Sequence, residues 1–148
     1  MYSCTVRPTA VARIKGGHDA PGLSGEVRFY QECRSVLVVA NISNLPPNSD
    51  SGFFALHIHE GGNCSGVDFP NTGSHYDPSG EKHPKHAGDL PPLLLCNGGA
   101  TLAVRTDRFR VRDIIGRTIV IHSGPDDFHT QPAGNSGDKI ACGVICQV

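Results

Sequence analysis

The chain has 148 residues, a formal net charge of −1 and 38% hydrophobic residues. This length corresponds to about one domain, here residues 1–148 with residues 1–10 as an N-terminal extension. The near-neutral charge and the lack of any apolar run near the roughly 20 residues that span a bilayer argue against nucleic-acid and membrane partners.

Residues 1–17 lack the apolar core of a signal peptide, which predicts a cytoplasmic protein unless the chain is a processed form. Short β-branched or alternating runs follow, each bounded by Gly, Pro, Asn or Asp, as is typical of strands. The predicted strands cover residues 11–15, 25–31, 35–41, 53–59, 99–106, 116–122 and 140–148. Seven or eight short strands favour an antiparallel sandwich or barrel, with one short helical turn at 107–115. Residues 60–96 and 123–139 show no strand character, and loops of this length are often functional.

Six of the eight histidines fall between residues 57 and 122. His57 and His59 are two residues apart in a predicted strand, so their side chains share one face. They can chelate one metal, or they are two unrelated histidines at a polar strand end. His122 ends the run 116–122 and, taken alone, is typical of a structural strand-end histidine. His18 and His129 have no partner nearby in the sequence and are interpreted as surface residues.

The loop after residue 60 contains three further histidines and a carboxylate within fifteen positions: His75, His83, His86 and Asp89. Three neutral imidazoles and one ionised carboxylate can supply a tetrahedral zinc site, whereas the alternative is a solvated polar loop. A second set of donors is all imidazole and consists of His57, His59, His75 and His122. Such a set suits copper and also zinc.

Several short motifs occur in a fixed order along the chain. They are H-x-H-E at 57–60 with Cys64, H-Y-D-P at 75–78, H-A-G-D-L at 86–90, G-R-T-I-V-I-H at 116–122, Asp126 with Asp127, G-N-S-G at 134–137 and A-C-G-V-I at 141–145. The set of motifs, their order along the chain and their approximate spacing resemble those of the copper,zinc superoxide dismutase family. The resemblance covers nearly the whole chain from about Val11, and it is the combination that makes it specific.

The resemblance implies an all-β fold, a flattened eight-stranded Greek-key β-barrel with two long metal-site loops outside it. It implies copper bound by His57, His59, His75 and His122, and zinc bound by His75, His83, His86 and Asp89. His75 would bridge the two metals through both ring nitrogens. Asp126 would accept a hydrogen bond from one histidine of each site, which fixes ring orientation.

The resemblance also implies a disulfide between Cys64 and Cys142, which ties the metal loop to the last strand. The alternative is two buried thiols in a reducing cytosol. The remaining cysteines have no family role and are expected to be free, packed or lightly exposed thiols. These are Cys4, Cys33, Cys96 and Cys146.

Two features depart from the family pattern. Only Pro84 and Lys85 separate His83 from His86, so the zinc loop is shortened. Three residues before Cys142, where the family usually has the Arg that holds superoxide beside copper, this chain has Lys139. Lysine keeps the positive charge but lacks the planar fork, so attraction of an anion should survive and its orientation should suffer. The alternative for Lys139 is an exposed loop lysine.

The implied activity is an antioxidant oxidoreductase reaction that converts superoxide to O2 and hydrogen peroxide, at a rate reduced by Lys139. In the family scheme His75 leaves copper on reduction, takes up a proton and later gives it back, so His75 and Lys139 are the candidate catalytic residues. A second hypothesis is a copper-binding or copper-buffering protein on the same fold with little turnover. A third is a structural β-domain with incidental histidines. Superoxide is the expected partner, and the sequence leaves open whether the chain is a monomer or a homodimer.

Overall fold

The fold is one antiparallel sheet of eight strands that curves into a nearly closed barrel. The computed structural model describes residues 6–148. The strands are β1 (Ala10–Gly16), β2 (Ser24–Gln31), β3 (Val36–Ser43), β4 (Phe53–His59), β5 (Asp89–Leu94), β6 (Gly99–Thr106), β7 (Thr118–His122) and β8 (Lys139–Gln147). Within residues 6–148 the helical segments are a 3-10 turn (Pro70–Thr72) and the four-residue helix α1 (Val111–Ile114). No helix of this part of the chain is long and apolar enough to cross a membrane.

The strand order in the sheet is β5-β4-β7-β8-β1-β2-β3-β6, and every neighbouring pair is antiparallel. The outer strands β5 and β6 also approach each other, which brings the two edges of the sheet together. The all-β fold predicted from the short alternating runs is therefore confirmed. The runs favoured a sandwich or a barrel, and the structure has the barrel that the family resemblance implies. The seven predicted strands are all present, two with the predicted ends and the others with ends shifted by at most two residues.

The expectation that residues 60–96 contain no strand is wrong, because β5 lies within them. Pro91 and Pro92 sit in the middle of this strand and argue against it in the sequence. Proline cannot donate to a strand ladder and is tolerated at the edge of a sheet, which is where β5 lies. β5 pairs with β4 so that Asp89 stands opposite His57. This pairing therefore brings Asp89, from the candidate zinc ligands, next to His57, from the candidate copper ligands.

Strand β4 is buried on both faces. Phe54, Leu56 and Ile58 point into the apolar core of the barrel and are at most 1% exposed. Burial of such side chains contributes roughly 1.5–3 kcal/mol each, so the strand is firmly anchored. His57 and His59 occupy the alternate face, which the long loops cover. The histidines thus stand on a rigid barrel wall but outside the core.

The predicted disulfide between Cys64 and Cys142 is present and links the first long loop to β8. It packs with Phe69 and Val120 in a small apolar cluster on the outside of the barrel. Free thiols in the described part of the chain are exposed: Cys33, Cys96 and Cys146. Cys4 lies outside the described residues.

Candidate metal centre

One group of four histidines lies on the outer face of β4 and β7. His57 and His59 come from β4, and His122 ends the neighbouring β7. A backbone bridge with His59 brings in His75 from the first long loop. The four candidate ligand atoms lie within 4.8 Å of one another, and all four residues are buried. We call these four residues the imidazole group.

A second group combines His75 with His83, His86 and Asp89, and all four residues are buried. His75 Nδ1 lies 2.8 Å from Asp89 Oδ1, and His83 Nδ1 lies 3.1 Å from Asp89 Oδ2. His86 Nδ1 lies 3.2 Å from Asp89 Oδ2 and 3.4 Å from His75 Nδ1. We call this set the carboxylate group. Because His75 uses Nδ1 here, its Nε2 is left for the imidazole group.

The two groups fit metal ions better than they fit a hydrogen-bond network. His57 Nδ1, His75 Nε2 and His83 Nδ1 are buried and make no well-aligned hydrogen bond among residues 6–148, although His83 Nδ1 lies 3.1 Å from Asp89 Oδ2. An unpartnered buried polar atom costs about 1–3 kcal/mol. His59 Nε2 and His122 Nε2 face each other at 3.3 Å. Ligands bonded at about 2.0–2.1 Å to a tetrahedral metal lie about 3.3 Å apart, so these nitrogen pairs have the spacing of ligands.

Asp126 is hydrogen-bonded to one histidine of each group. Its carboxylate accepts hydrogen bonds from His57 Nε2 at 2.8 Å and from His83 Nε2 at 2.7 Å. Burial would raise the pKa of this carboxyl, but the bonds from His57, His83 and the Phe128 amide outweigh it and hold the pKa below its usual range. With the proton of each ring on Nε2, Nδ1 keeps its lone pair for a metal.

Gly134 allows this arrangement. A Cβ at that position would lie 2.1 Å from Asp126 Oδ1 and 2.6 Å from His83 Nε2, and the residue has a φ of 70°. A side chain would therefore displace the carboxylate that holds both rings. This accounts physically for the glycine at the start of the G-N-S-G motif.

Burial also favours the uncharged form of two members of the imidazole group, His59 and His122. It lowers the pKa of His59 to about 2 and that of His122 to about 3. Metal binding needs neutral imidazoles, so both rings are in the required form at neutral pH.

The same burial predicts that the metal-free protein loses stability as the pH falls below about 6.5. In the unfolded chain both histidines take up protons near their ordinary pKa of 6.5, whereas in the folded chain they stay neutral to about pH 3. Each histidine then contributes a slope of about 1.4 kcal/mol per pH unit. Urea unfolding of the metal-free protein at about pH 7.5, 6.5 and 5.5 measures this change in the free energy of unfolding. His129→Gln, at an exposed histidine, should keep the wild-type profile, and a flat wild-type profile would contradict the prediction.

A cavity of about 480 Å³ opens beside the imidazole group and is lined by His59, His75, His122 and Lys139 among others. Lys139 begins β8 directly opposite His122. Its Nζ donates to Thr72 Oγ1 at 2.8 Å and to the Gly73 carbonyl at 3.3 Å. Partial burial lowers the pKa of this ammonium group. Among residues 6–148 two of its three N–H donors are engaged, which leaves one for a ligand in the cavity.

The structure brings together every sequence-predicted metal-site residue, together with Asp126 and Lys139. His18 and His129 are exposed and outside both groups, as predicted. The sequence did not reveal three further residues that support the site. Thr72 accepts a hydrogen bond from the Lys139 ammonium group. Arg108 and Gln131 bind backbone groups of the segment that carries His83 and His86. Each makes its contact across at least 19 residues of sequence, and no local pattern marks such contacts.

The chain is similar in sequence to known proteins. The family described as copper/zinc superoxide dismutase matches residues 23–145. A Cu-Zn superoxide dismutase 2 of Aquifex aeolicus (strain VF5) is 36% identical, and the match covers 82% of this chain and 78% of the relative. A Cu-Zn superoxide dismutase of Caulobacter vibrioides is 32% identical over 93% of this chain and 84% of the relative. A copper chaperone for superoxide dismutase of Mus musculus is 33% identical over 93% of this chain but only 53% of the relative.

Proposed function

Since the chain belongs to the copper/zinc superoxide dismutase family, we propose that it converts superoxide to O2 and hydrogen peroxide. The imidazole group would hold copper and the carboxylate group would hold zinc, in keeping with the ligand preferences of the two metals. The observation that carries this proposal is the position of His75, which belongs to both donor groups. A simple copper store has no need of a second metal site that shares a ligand.

The reaction consumes two superoxide anions and two protons for each O2 and hydrogen peroxide formed. Bound copper would supply the one-electron redox couple. His75 is placed to handle a proton, because its Nε2 is buried with no hydrogen-bond partner in the described part of the chain while Nδ1 lies 2.8 Å from Asp89 Oδ1. A proton taken up at Nε2 can be given to the reduced oxygen species while Nδ1 stays with the carboxylate group. Asp126 keeps the neighbouring His57 ring in one orientation throughout.

Lys139 would attract and hold the anion in this proposal. Its charge lies at the wall of the cavity beside the imidazole group, and its one free N–H donor can bind one oxygen of superoxide. An arginine in this position could offer two parallel donors, so lysine should hold the anion in a less defined orientation.

We therefore expect Lys139→Arg to raise superoxide turnover per bound copper about tenfold, which corresponds to about 1.4 kcal/mol of transition-state binding. Lys139→Gln should lower turnover and flatten its dependence on ionic strength, because the attracting charge is lost. Rates are measured at low and at physiological salt with copper determined on the same samples. Lys15→Gln, an exposed lysine on β1, is the matched control. Unchanged rate and salt dependence in Lys139→Arg would refute the anion-binding role.

The activity itself is tested by reconstituting the protein with copper and zinc and measuring turnover per bound copper. Turnover far above that of His122→Ala, which lacks one ligand of the imidazole group, would support an enzyme. Full loading with negligible turnover would refute the proposal.

That second outcome would favour a copper-binding or copper-delivering protein with little turnover. Two observations point in that direction: the 33% identity to a protein named as a copper chaperone, and the lysine at position 139. Metal content cannot separate the two functions, whereas turnover does. The sequence leaves open whether this chain is a monomer or a homodimer, and sedimentation tests it.

A further inference from the structure

The short turn between His83 and His86 is held from outside by an arginine. Three carbonyl oxygens, two from this turn and one from the start of β5, converge on one guanidinium nitrogen, Nη1 of Arg108. The distances are 2.8 Å to Pro84 O, 3.2 Å to His86 O and 3.5 Å to Asp89 O. Two of these carbonyls belong to residues of the carboxylate group, so Arg108 fixes the backbone from which those ligands project.

A glutamine holds the other end of the turn. The backbone amide of His83 donates to Gln131 Oε1 at 2.9 Å, and Gln131 Nε2 donates to the His83 carbonyl at 2.6 Å. Both polar backbone groups of His83 are thus bound by one side chain. Gln131 comes from the second long loop, whereas Arg108 follows β6 and is itself anchored by a bond from its amide to Thr106 Oγ1 at 3.2 Å. Two separate elements therefore hold the same turn.

The charge of Arg108 is directed to these carbonyls. Among residues 6–148 it has no carboxylate within salt-bridge distance, although other surface arginines such as Arg28 and Arg105 do. Within residues 6–148 the Arg108 guanidinium donates hydrogen bonds only to carbonyl oxygens. Hydrogen bonds from a charged donor are stronger than neutral ones, so the guanidinium is well suited to hold several carbonyls in one arrangement.

We propose that Arg108 and Gln131 are positioning residues that set the affinity of the carboxylate group for zinc. The proposal rests on the proposed function, which assigns zinc to that group. A turn that moves freely must be ordered when the metal binds, and this ordering lowers the affinity. A pre-formed turn avoids that loss. Residues behind the ligands typically change metal affinity by about 10–100-fold, so the two side chains should have measurable effects.

The test is a zinc titration of the metal-free protein in competition with a chromophoric chelator. Arg108→Met and Gln131→Met should each weaken zinc binding about tenfold, and the double variant about a hundredfold. Arg108→Lys, which restores a charged donor, should recover part of the loss. Arg112→Met, at an exposed arginine on α1, is the matched control and should bind zinc as the wild type does.

Two further readouts separate positioning from general stability. The absorption of bound Co²⁺, used in place of zinc, should change in the Arg108→Met protein because the ligands are less well aligned. The urea midpoint of the metal-free protein should change little. Wild-type zinc affinity in all variants would overturn the proposal, as would a loss explained entirely by unfolding of the metal-free protein. If the wild type itself binds no zinc, the zinc assignment fails and this proposal fails with it. If zinc binds and only turnover is absent, the proposed enzyme activity fails alone.

Discussion

Replacing His75 with alanine is expected to abolish superoxide turnover and to weaken both metal sites at once. His75 is the one residue that belongs to the imidazole group and to the carboxylate group. Its Nδ1 faces Asp89, and its Nε2 is a buried atom without a partner among the described residues. Loss of an outer partner already costs about 10–100-fold in metal affinity, so loss of a shared ligand should cost each site more than about 100-fold.

Two other histidines supply the matched controls for this experiment. His59 belongs only to the imidazole group and His86 only to the carboxylate group. After loading and dialysis, His59→Ala should lose mainly copper, His86→Ala mainly zinc, and His75→Ala both. Metal content by mass spectrometry measures all three variants. Full copper and zinc in the His75→Ala protein would rule out a bridging role.

Removing the disulfide is expected to cause the largest loss of stability. The bond closes a loop with a sequence separation of 78 residues. In the chain-entropy model a loop of this length contributes up to about 4.5 kcal/mol. The Cys64→Ala/Cys142→Ala protein should therefore have a melting temperature about 10–15 °C below that of the wild type. The loop that carries Thr72 and Gly73 would also be less well held, so the anchor of Lys139 should loosen.

Thermal unfolding of the metal-free and metal-loaded forms measures this loss. Cys96→Ser is the control, because Cys96 is a free and exposed thiol. A loss smaller than about 1 kcal/mol would show that the unfolded chain is little constrained by the bond. The metal-loaded form should be more stable than the metal-free form in every variant that still binds metal, since bound metal favours the folded state.

Most strands of the barrel could be predicted from the sequence because strand signals are local, whereas the choice of a barrel over a sandwich came from the family resemblance. Alternating or β-branched runs between turn residues identified seven of the eight strands. The eighth, β5, was missed because Pro91 and Pro92 contradict the local strand pattern. Its place at the edge of the sheet, which makes those prolines tolerable, depends on the order of all eight strands.

The metal centre was partly predictable for a similar reason. His57 and His59 share a face because side chains two apart in a strand do so. Counting donors placed His75 in both candidate sets, but the bridging of two metals through both of its ring nitrogens entered through the resemblance to a family. The structure supplies its physical basis in the His59–His75 bridge and the 2.8 Å contact with Asp89.

By itself the sequence determined seven of the eight strands and the set of donor side chains. Tertiary structure alone decided which ring nitrogen faces a metal, because that depends on Asp126 reaching His57 and His83 across 69 and 43 residues. It also decided how Lys139 is anchored by Thr72 and how Arg108 and Gln131 hold the short turn. The physical reason is that periodicity encodes the face on which a side chain lies. The partner on that face is set only when distant loops pack over the barrel.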